Sequence, residues 1–406
     1  MNRFLAGAAF ALLLPLQSFA ADPDPSDWDA VIGDARGQTV YFNAWGGSPA
    51  INSYLEWAGG LLAERFGIEL VHVKLEDTAS AVARVVAEKA AGQDDGGSVD
   101  LIWINGENFA SMKAQDLLLQ PGWAQDLPNW RHVDPEATPT VLTDFTVPVE
   151  GLESPWGMAK LVFFHDAAEA PTDAMPGSAA ELLDWARANP GRFSYPQPPD
   201  FIGSSFLKQV LVERTTDPSV LLEPVVEAEF AAVTEPLFAY LDDLTPLMWR
   251  QGRAYPQNYP AMVQMLADGE LGIIFAFNPS EASSAIARGE LPDTVRSFTF
   301  DGGTLANTHF LAIPYNATAT AAALVVADFM LSPEAQARKQ DPAYWGDPTV
   351  LAMDRLSAED RAAFEAIDLG AATLSPDALG PALDEPHPSW MERIEIEWQR
   401  RYGVAN

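Results

Sequence analysis

The stretch VDLIWINGENF, Val99 to Phe109, joins an apolar run directly to four residues crowded with amide and carboxylate groups, Asn105-Gly106-Glu107-Asn108. Five of its first six residues are apolar or aromatic, as a strand covered on both faces of a parallel sheet requires. The polar ending then reads as the point where that strand meets a cleft. The neighbouring sequence supports this. QTVYFNAW (38–45) reads as a strand, and GGSPAINSYLEWAGGLLAERFG (46–67) as a helix with Ser48 as its cap and Pro49 at its first position. IELVHVKL (68–75) is the next strand, TASAVARVVAEKAAG (78–92) the next helix, and QDDGGS (93–98) the loop before the opening stretch. Strand, helix, strand, helix, strand predicts a parallel sheet with helices on its faces.

Alternation resumes downstream, with a strand at KLVFFHD (160–166) and helices at SAAELLDWARANPG (178–191) and FIGSSFLKQVLVER (201–214), the latter opened by its Gly-Ser pair. A further helix, PAMVQMLADGE (260–270), feeds the strand LGIIFAF (271–277), and helices return in 321–340 and 389–403. No long Gly/Ser linker or internal repeat separates the parts, so the expected architecture is two α/β lobes joined by extended crossings. The 406 residues, 48% of them hydrophobic, suffice for two or three cores.

The first twenty residues have Arg3, an apolar run from Phe4 to Leu16 and the ending Ser18-Phe19-Ala20, the plan of a secretory signal peptide. That run is shorter than the roughly 20 residues a spanning helix needs. Residues 21–37, rich in Asp and Pro, are expected to be a loose leader. With no cysteine there is no disulfide, thiolate metal site, cysteine nucleophile or cysteine-linked lipid. A free protein of the bacterial periplasm is expected. The net charge of −33, or −34 once Arg3 leaves with the signal, repels nucleic acid and anionic lipid. It suits either the capture of cations or solubility alone.

Catalytic patterns are missing from the sequence: no GxSxG, HExxH, GxxxxGK, or GxGxxG opening a helix. The five histidines are scattered, so no metal site and no cofactor are expected. What recurs is a buried strand followed at once by small, polar and aromatic residues: Tyr41 to Gly47, Ile104 to Asn108, and Phe275 to Pro279. Ligands of open α/β sheets bind at such carboxyl ends of strands, which predicts a cleft lined from both lobes.

The segments VYFNAWGG, WINGENFASMKAQDLL, SPWGMAKLVFFHD, PPDFIGSSFLKQ and MLADGELGIIFAFNPSEA together resemble periplasmic solute-binding proteins of the YnjB type, over roughly residues 38–400. These belong to the extracellular solute-binding family and are described as thiamine-transport binding proteins. The resemblance implies a type II periplasmic binding protein fold, with lobe 1 from 38–155 and 309–406 and lobe 2 from 156–308. It implies crossings near Glu153 to Ala159 and Thr308 to Pro314, and C-terminal helices packed mainly on lobe 1. It also implies a monomer that closes by a hinge around one small solute and delivers it to an ABC permease and its ATPase, without chemistry. Iron-binding relatives carry adjacent tyrosines, and this chain has no Tyr-Tyr pair.

The candidate ligand-binding residues each carry a second reading. Trp45, beside Gly46 and Gly47, is either a stacking wall for a flat cation or a lid on the lobe core. Trp156 and Trp345 have the same two readings. Glu107, between Asn105 and Asn108, either meets a ligand cation or complements the dipole of a helix capped by Asn105 or Gly106. Ser204 and Ser205 are expected at a helix start, as an anion seat or as plain caps. Asn258, Tyr259 and Asn278 complete the set, while Met248, Met262 and Met265 are expected in the core. Thiamine or a thiamine-like heterocycle is the favoured solute, with a polyamine or other organic amine second. An unrecognised secreted hydrolase and a structural protein are the competing classes.

Overall fold

The computed structural model describes residues 23–404. The expected signal peptide lies outside the described residues. Within the expected loose leader, Trp28–Ala35 is a helix capped by the Asp27 carboxylate. Its Val31 and Ala35 are buried against the first core, so an apolar spacing hidden among acidic residues overrides the composition.

The strands, in chain order, are β1 (Thr39–Trp45), β2 (Glu69–Leu75), β3 (Leu101–Ile104), a two-residue ladder of β4 (Thr143–Asp144) and β5 (Val147–Pro148), β6 (Glu153–Lys160), β7 (Val162–Asp166), β8 (Ile274–Ala276), β9 (Val295–Phe298), β10 (Thr304–Ala312) and β11 (Ala382–Leu383). The larger sheet runs β11-β10-β3-β1-β2, with β6 also paired to β10. β1 is parallel to β2 from Thr39↔Glu69 to Trp45↔Leu75 and parallel to β3 at Phe42↔Leu101, as the alternating sequence predicts. The smaller sheet, β8-β7-β9, is antiparallel. Among the described residues no helix is long and apolar enough to cross a membrane.

Two long strands connect the sheets. β6 pairs antiparallel with β10 from Ala306↔Lys160 to Ala312↔Glu153, with a bulge between His309 and Phe310. One residue, Leu161, separates β6 from β7, and the chain comes back from β9 into β10 after residue 303. The lobe limits expected at 155/156 and 308/309 therefore fall inside this connecting ladder.

Each sheet has its own core. The first packs Phe42, Ile51, Tyr54, Leu62 and Trp156 against the Thr320–Met330 helix. The second gathers Phe163, Phe193, Phe206, Phe275 and Phe300 with Met248 and Met262, and Met265 packs against it. Phe163 and Phe300 stack with centroids 4.5 Å apart.

The last helix, Pro388–Tyr402, departs from the expectation that it packs on lobe 1. Trp390, Met391, Ile394 and Trp398 line one face of that helix and sink into the second core. There the Trp398 indole donates to the Tyr195 hydroxyl at 3.1 Å. An apolar face of this size follows the largest aromatic surface left uncovered, which the second lobe offers.

Candidate ligand-binding cleft

The polar ending of the opening stretch is built around Gly106. Its backbone lies at φ +61°, and its amide donates to both Asp144 oxygens at 2.8 Å. A Cβ there would come within 2.7 Å of the Phe145 ring, so glycine serves both the backbone and the close approach. The helix Glu107–Ala114 starts immediately, capped by Gly106 with no side-chain cap from Asn105. Asn105, Glu107 and Asn108 are all left partly exposed at the carboxyl end of β3.

Facing them is the Phe201–Arg214 helix of the second lobe. Asp200 caps it by accepting from the amides of Ile202 and Gly203 at 2.9 and 3.3 Å. Ser204 and Ser205 therefore stand inside the helix rather than at its start, because an aspartate two residues before Ile202 already satisfies the free amides. Ser205 is fully buried and donates to the Phe201 carbonyl, which removes it from any ligand surface. Ser204 donates to the Glu395 carboxylate of the last helix. One turn further on is Lys208, on the same face as Phe201 and Ser204 by the i, i+3, i+7 spacing.

Lys208 organises this junction. Its ammonium is 2.8 Å from Glu385 and 4.2 Å from the centre of the Phe145 ring, with Phe201 at 5.5 Å. Lysine and glutamate are 3% and 1% exposed. Glu385 also accepts from the Asn307 amide of β10 at 2.8 Å. Burial raises the Glu107 carboxyl above its ordinary value, Lys208 opposes the rise, and Asp77 and Glu385 add to it. Burial likewise pushes Glu395 up to about 7, with Ser204 and Lys208 opposing and Glu107 and Asp77 reinforcing. Lys208 thus pairs directly with Glu385 and acts electrostatically on Glu107 and Glu395, both of which also feel Asp77.

The Glu395 shift has a signed consequence. Between its ordinary 4.5 and about 7 the folded protein holds a proton that the unfolded chain has released. This group's contribution to stability therefore declines as pH rises through that window, by at most about 3 kcal/mol. Thermal unfolding of the ligand-free protein at pH 5 and pH 7 should show this decline, and Glu395→Gln should flatten it. An unchanged slope in the variant would mean the proton resides elsewhere.

At the end of β1, Trp45 is partly buried on the first core, and its ring lies so close to Gly47 that a Cβ there would meet it at 2.4 Å. Gly46 passes equally close to the Lys74 side chain. Asn278 turns its carbonyl oxygen to the Ser280 amide at 2.9 Å and leaves its buried Nδ2 without a partner. Asn258 caps the Tyr259–Ala267 helix through the Ala261 amide at 3.1 Å. Tyr259 packs against the second core beside Glu281 and Arg288.

Trp156 and Trp345 are corrected. Trp156 is 0% exposed, with Phe42, Tyr54, Trp103, Trp345 and His309 all within 5.1–6.4 Å ring to ring. Trp345 is 4% exposed in the same cluster. The connecting ladder and the Trp345 segment close over these rings, so they fill the core and present no face to a solute. Among the described residues no group of three or more His, Asp or Glu side chains is placed to hold a metal ion.

Residues 61–352 match the family of bacterial extracellular solute-binding proteins. The chain belongs to that family. Protein YnjB of Escherichia coli (strain K12) is 47% identical over 393 residues, which is 97% of this chain and 98% of YnjB. Among solved structures, the fructose-6-phosphate-bound periplasmic binding protein AfuA of Actinobacillus pleuropneumoniae matches with a TM-score of 0.62 at 14% identity, over 90% of this chain and 99% of that one. Iron-bound HitA of Pseudomonas aeruginosa matches with 0.62 at 15%, over 90% and 99%. The Tp0655 (TpPotD) lipoprotein of Treponema pallidum matches with 0.64 at 12%, over 89% and 98%. Similarity at this level shows the periplasmic binding protein fold alone. Family membership sets the class of function, a periplasmic solute-binding protein serving an ABC importer, and leaves the solute open.

Proposed function

We propose that this solute-binding protein captures a small organic cation in the crevice between the Glu107–Ala114 and Phe201–Arg214 helices and hands it, unaltered, to its permease and ATPase. The observation that carries the reading is the charge imbalance around Lys208. The Lys208 ammonium pairs with Glu385 and its charge also reaches Glu107 and Glu395, whose carboxyls burial raises, so the acidic groups outnumber the cation and a cationic solute would favour their ionised forms. The faces of Phe145 and Phe201 already accept an ammonium, an interaction worth about 0.5–2 kcal/mol per ring. A flat, positively charged heterocycle of the thiamine kind uses both the rings and the carboxylates. Lobe closure completes such a site because Phe145 and Glu107 come from the first lobe and Phe201 and Glu395 from the second.

The test is titration of the purified protein with thiamine and with spermidine, followed by tryptophan fluorescence and by mass spectrometry of the recovered solute. Saturable binding of thiamine, with the solute returned intact, is the expected result. Glu107→Gln should weaken it roughly 10- to 100-fold, the loss expected for one charged contact. If neither cation binds, or if the variant keeps full affinity, the crevice is not the solute site. Tighter binding of spermidine than of thiamine would favour a linear polyamine, and turnover would favour a hydrolase.

A further inference from the structure

A second recess, of about 250 Å³, opens where the Pro49–Phe66 helix begins, and its chemistry is the reverse of the acidic crevice. Pro49, Ala50 and Ser53 of the first two turns form one wall, Arg338 and Tyr344 another, and Arg288 of the second lobe the third. No aspartate or glutamate lines it. Against 57 acidic and 24 basic side chains in the chain, this recess has two guanidiniums and, among the described residues, no carboxylate in its wall.

The two arginines differ. Arg288 is spoken for by Glu281 and Glu290 at 3.1 and 2.8 Å. Arg338 forms no salt bridge among the described residues. It is held instead by aromatic faces, with its guanidinium carbon 3.7 Å from the Tyr344 ring centre and 4.6 Å from that of Trp57. Its Nε is buried and unpartnered, as is that of Arg288. Stacking fixes the guanidinium plane while leaving its donors free, an arrangement suited to a planar or tetrahedral oxyanion. The third contribution is the helix itself. It is 18 residues long, and Pro49 at its first position brings no N–H, so the Ala50 amide is the first free donor at its positive end.

We infer that Arg338, backed by Arg288, Ser53 and the start of this helix, forms a seat for a carboxylate or phosphate group. The seat stands at the carboxyl end of β1, and the Glu107 crevice stands at the carboxyl end of β3, the adjacent parallel strand. The seat's recess is lined from both lobes. The inference does not depend on the cationic reading of the crevice, since the seat is defined by its own residues.

Two probes test it: inorganic phosphate alone, and thiamine monophosphate compared with thiamine. Trp57 beside Arg338 provides the fluorescence signal. Phosphate should bind saturably, Arg338→Gln should weaken it at least tenfold, and Glu107→Gln should leave it unchanged. Arg338→Lys, which keeps the charge but loses the planar fork, should fall between the two and guards against a merely unfolded variant. If the seat holds the solute's own anion, the monophosphate binds at least tenfold tighter than thiamine and the difference vanishes in Arg338→Gln. If it holds a free oxyanion, thiamine and its monophosphate bind equally while phosphate binding still depends on Arg338. Absence of phosphate binding to the wild type together with equal binding of thiamine and its monophosphate, or anion affinity that is unchanged in both folded Arg338 variants, overturns the inference. Loss of thiamine binding alone in Glu107→Gln leaves it standing.

Discussion

Trp156→Ala should destabilise the protein by about 3–5 kcal/mol, the range for removing a large aromatic side chain from a close-packed core. Trp156 has no exposed surface and touches five aromatic rings from β1, β3, β10, the Pro49–Phe66 helix and the Trp345 segment. Its loss leaves a cavity that none of these can fill without moving the β6–β10 ladder. Chemical denaturation monitored by circular dichroism measures the effect. A variant of unchanged stability with weakened solute binding would restore Trp156 to the pocket and contradict its assignment to the core.

Asp347→Asn should be of similar size, about 3–5 kcal/mol, through a different mechanism. The Asp347 carboxylate faces His309 Nε2 of β10 at 3.0 and 3.1 Å and also pairs with the Lys339 ammonium, which is wholly buried. Burial would by itself raise the Asp347 carboxyl, but His309 and Lys339 together hold it below its ordinary value. The asparagine leaves a buried ammonium uncompensated at the strand that joins the lobes. Gly157, opposite His309 in the ladder, leaves the room this pair requires: a Cβ there would overlap both Asp347 and His309. Thermal unfolding should show a large drop in melting temperature for Asp347→Asn. A change under about 1 kcal/mol would mean that the network does not hold the ladder.

Much of the larger sheet was legible in the chain. Apolar runs followed by helical spacing locate β1, β2 and β3, and Ser48 and Pro49 mark the start of the helix after β1, because strand burial and helix capping are local requirements. The Phe201–Arg214 helix was legible too, but its start was misplaced at the Gly-Ser pair when Asp200, three residues before Gly203, was the stronger cap. The Phe230–Leu244 helix went unread, with Pro236 inside it breaking the pattern.

The site divides the same way. Glu107 could be singled out because a carboxylate directly after a buried strand is a local anomaly. Lys208 carried a weak signal, its helical spacing from Phe201 and Ser204. Phe145, Glu385 and Glu395 carried none. Phe145 lies beside a two-residue ladder, Glu385 just after a short edge strand and Glu395 on the final helix, and no spacing in the sequence ties any of them to Lys208.

The sequence by itself determined the strands and helices around β1, β2 and β3 and most of those downstream, that two α/β units share one chain, and that strand ends near Gly47, Glu107 and Asn278 carry polar groups. These follow from hydrophobic period and capping, which act over a few residues. Only the tertiary structure decided that Trp156 and Trp345 are core, that the last helix crosses to the second lobe, and that Lys208 pairs with Glu385 within electrostatic reach of Glu107 and Glu395. Those outcomes depend on which apolar faces remain uncovered once both sheets have formed, and on charges brought together from positions up to 288 residues apart, Glu107 to Glu395.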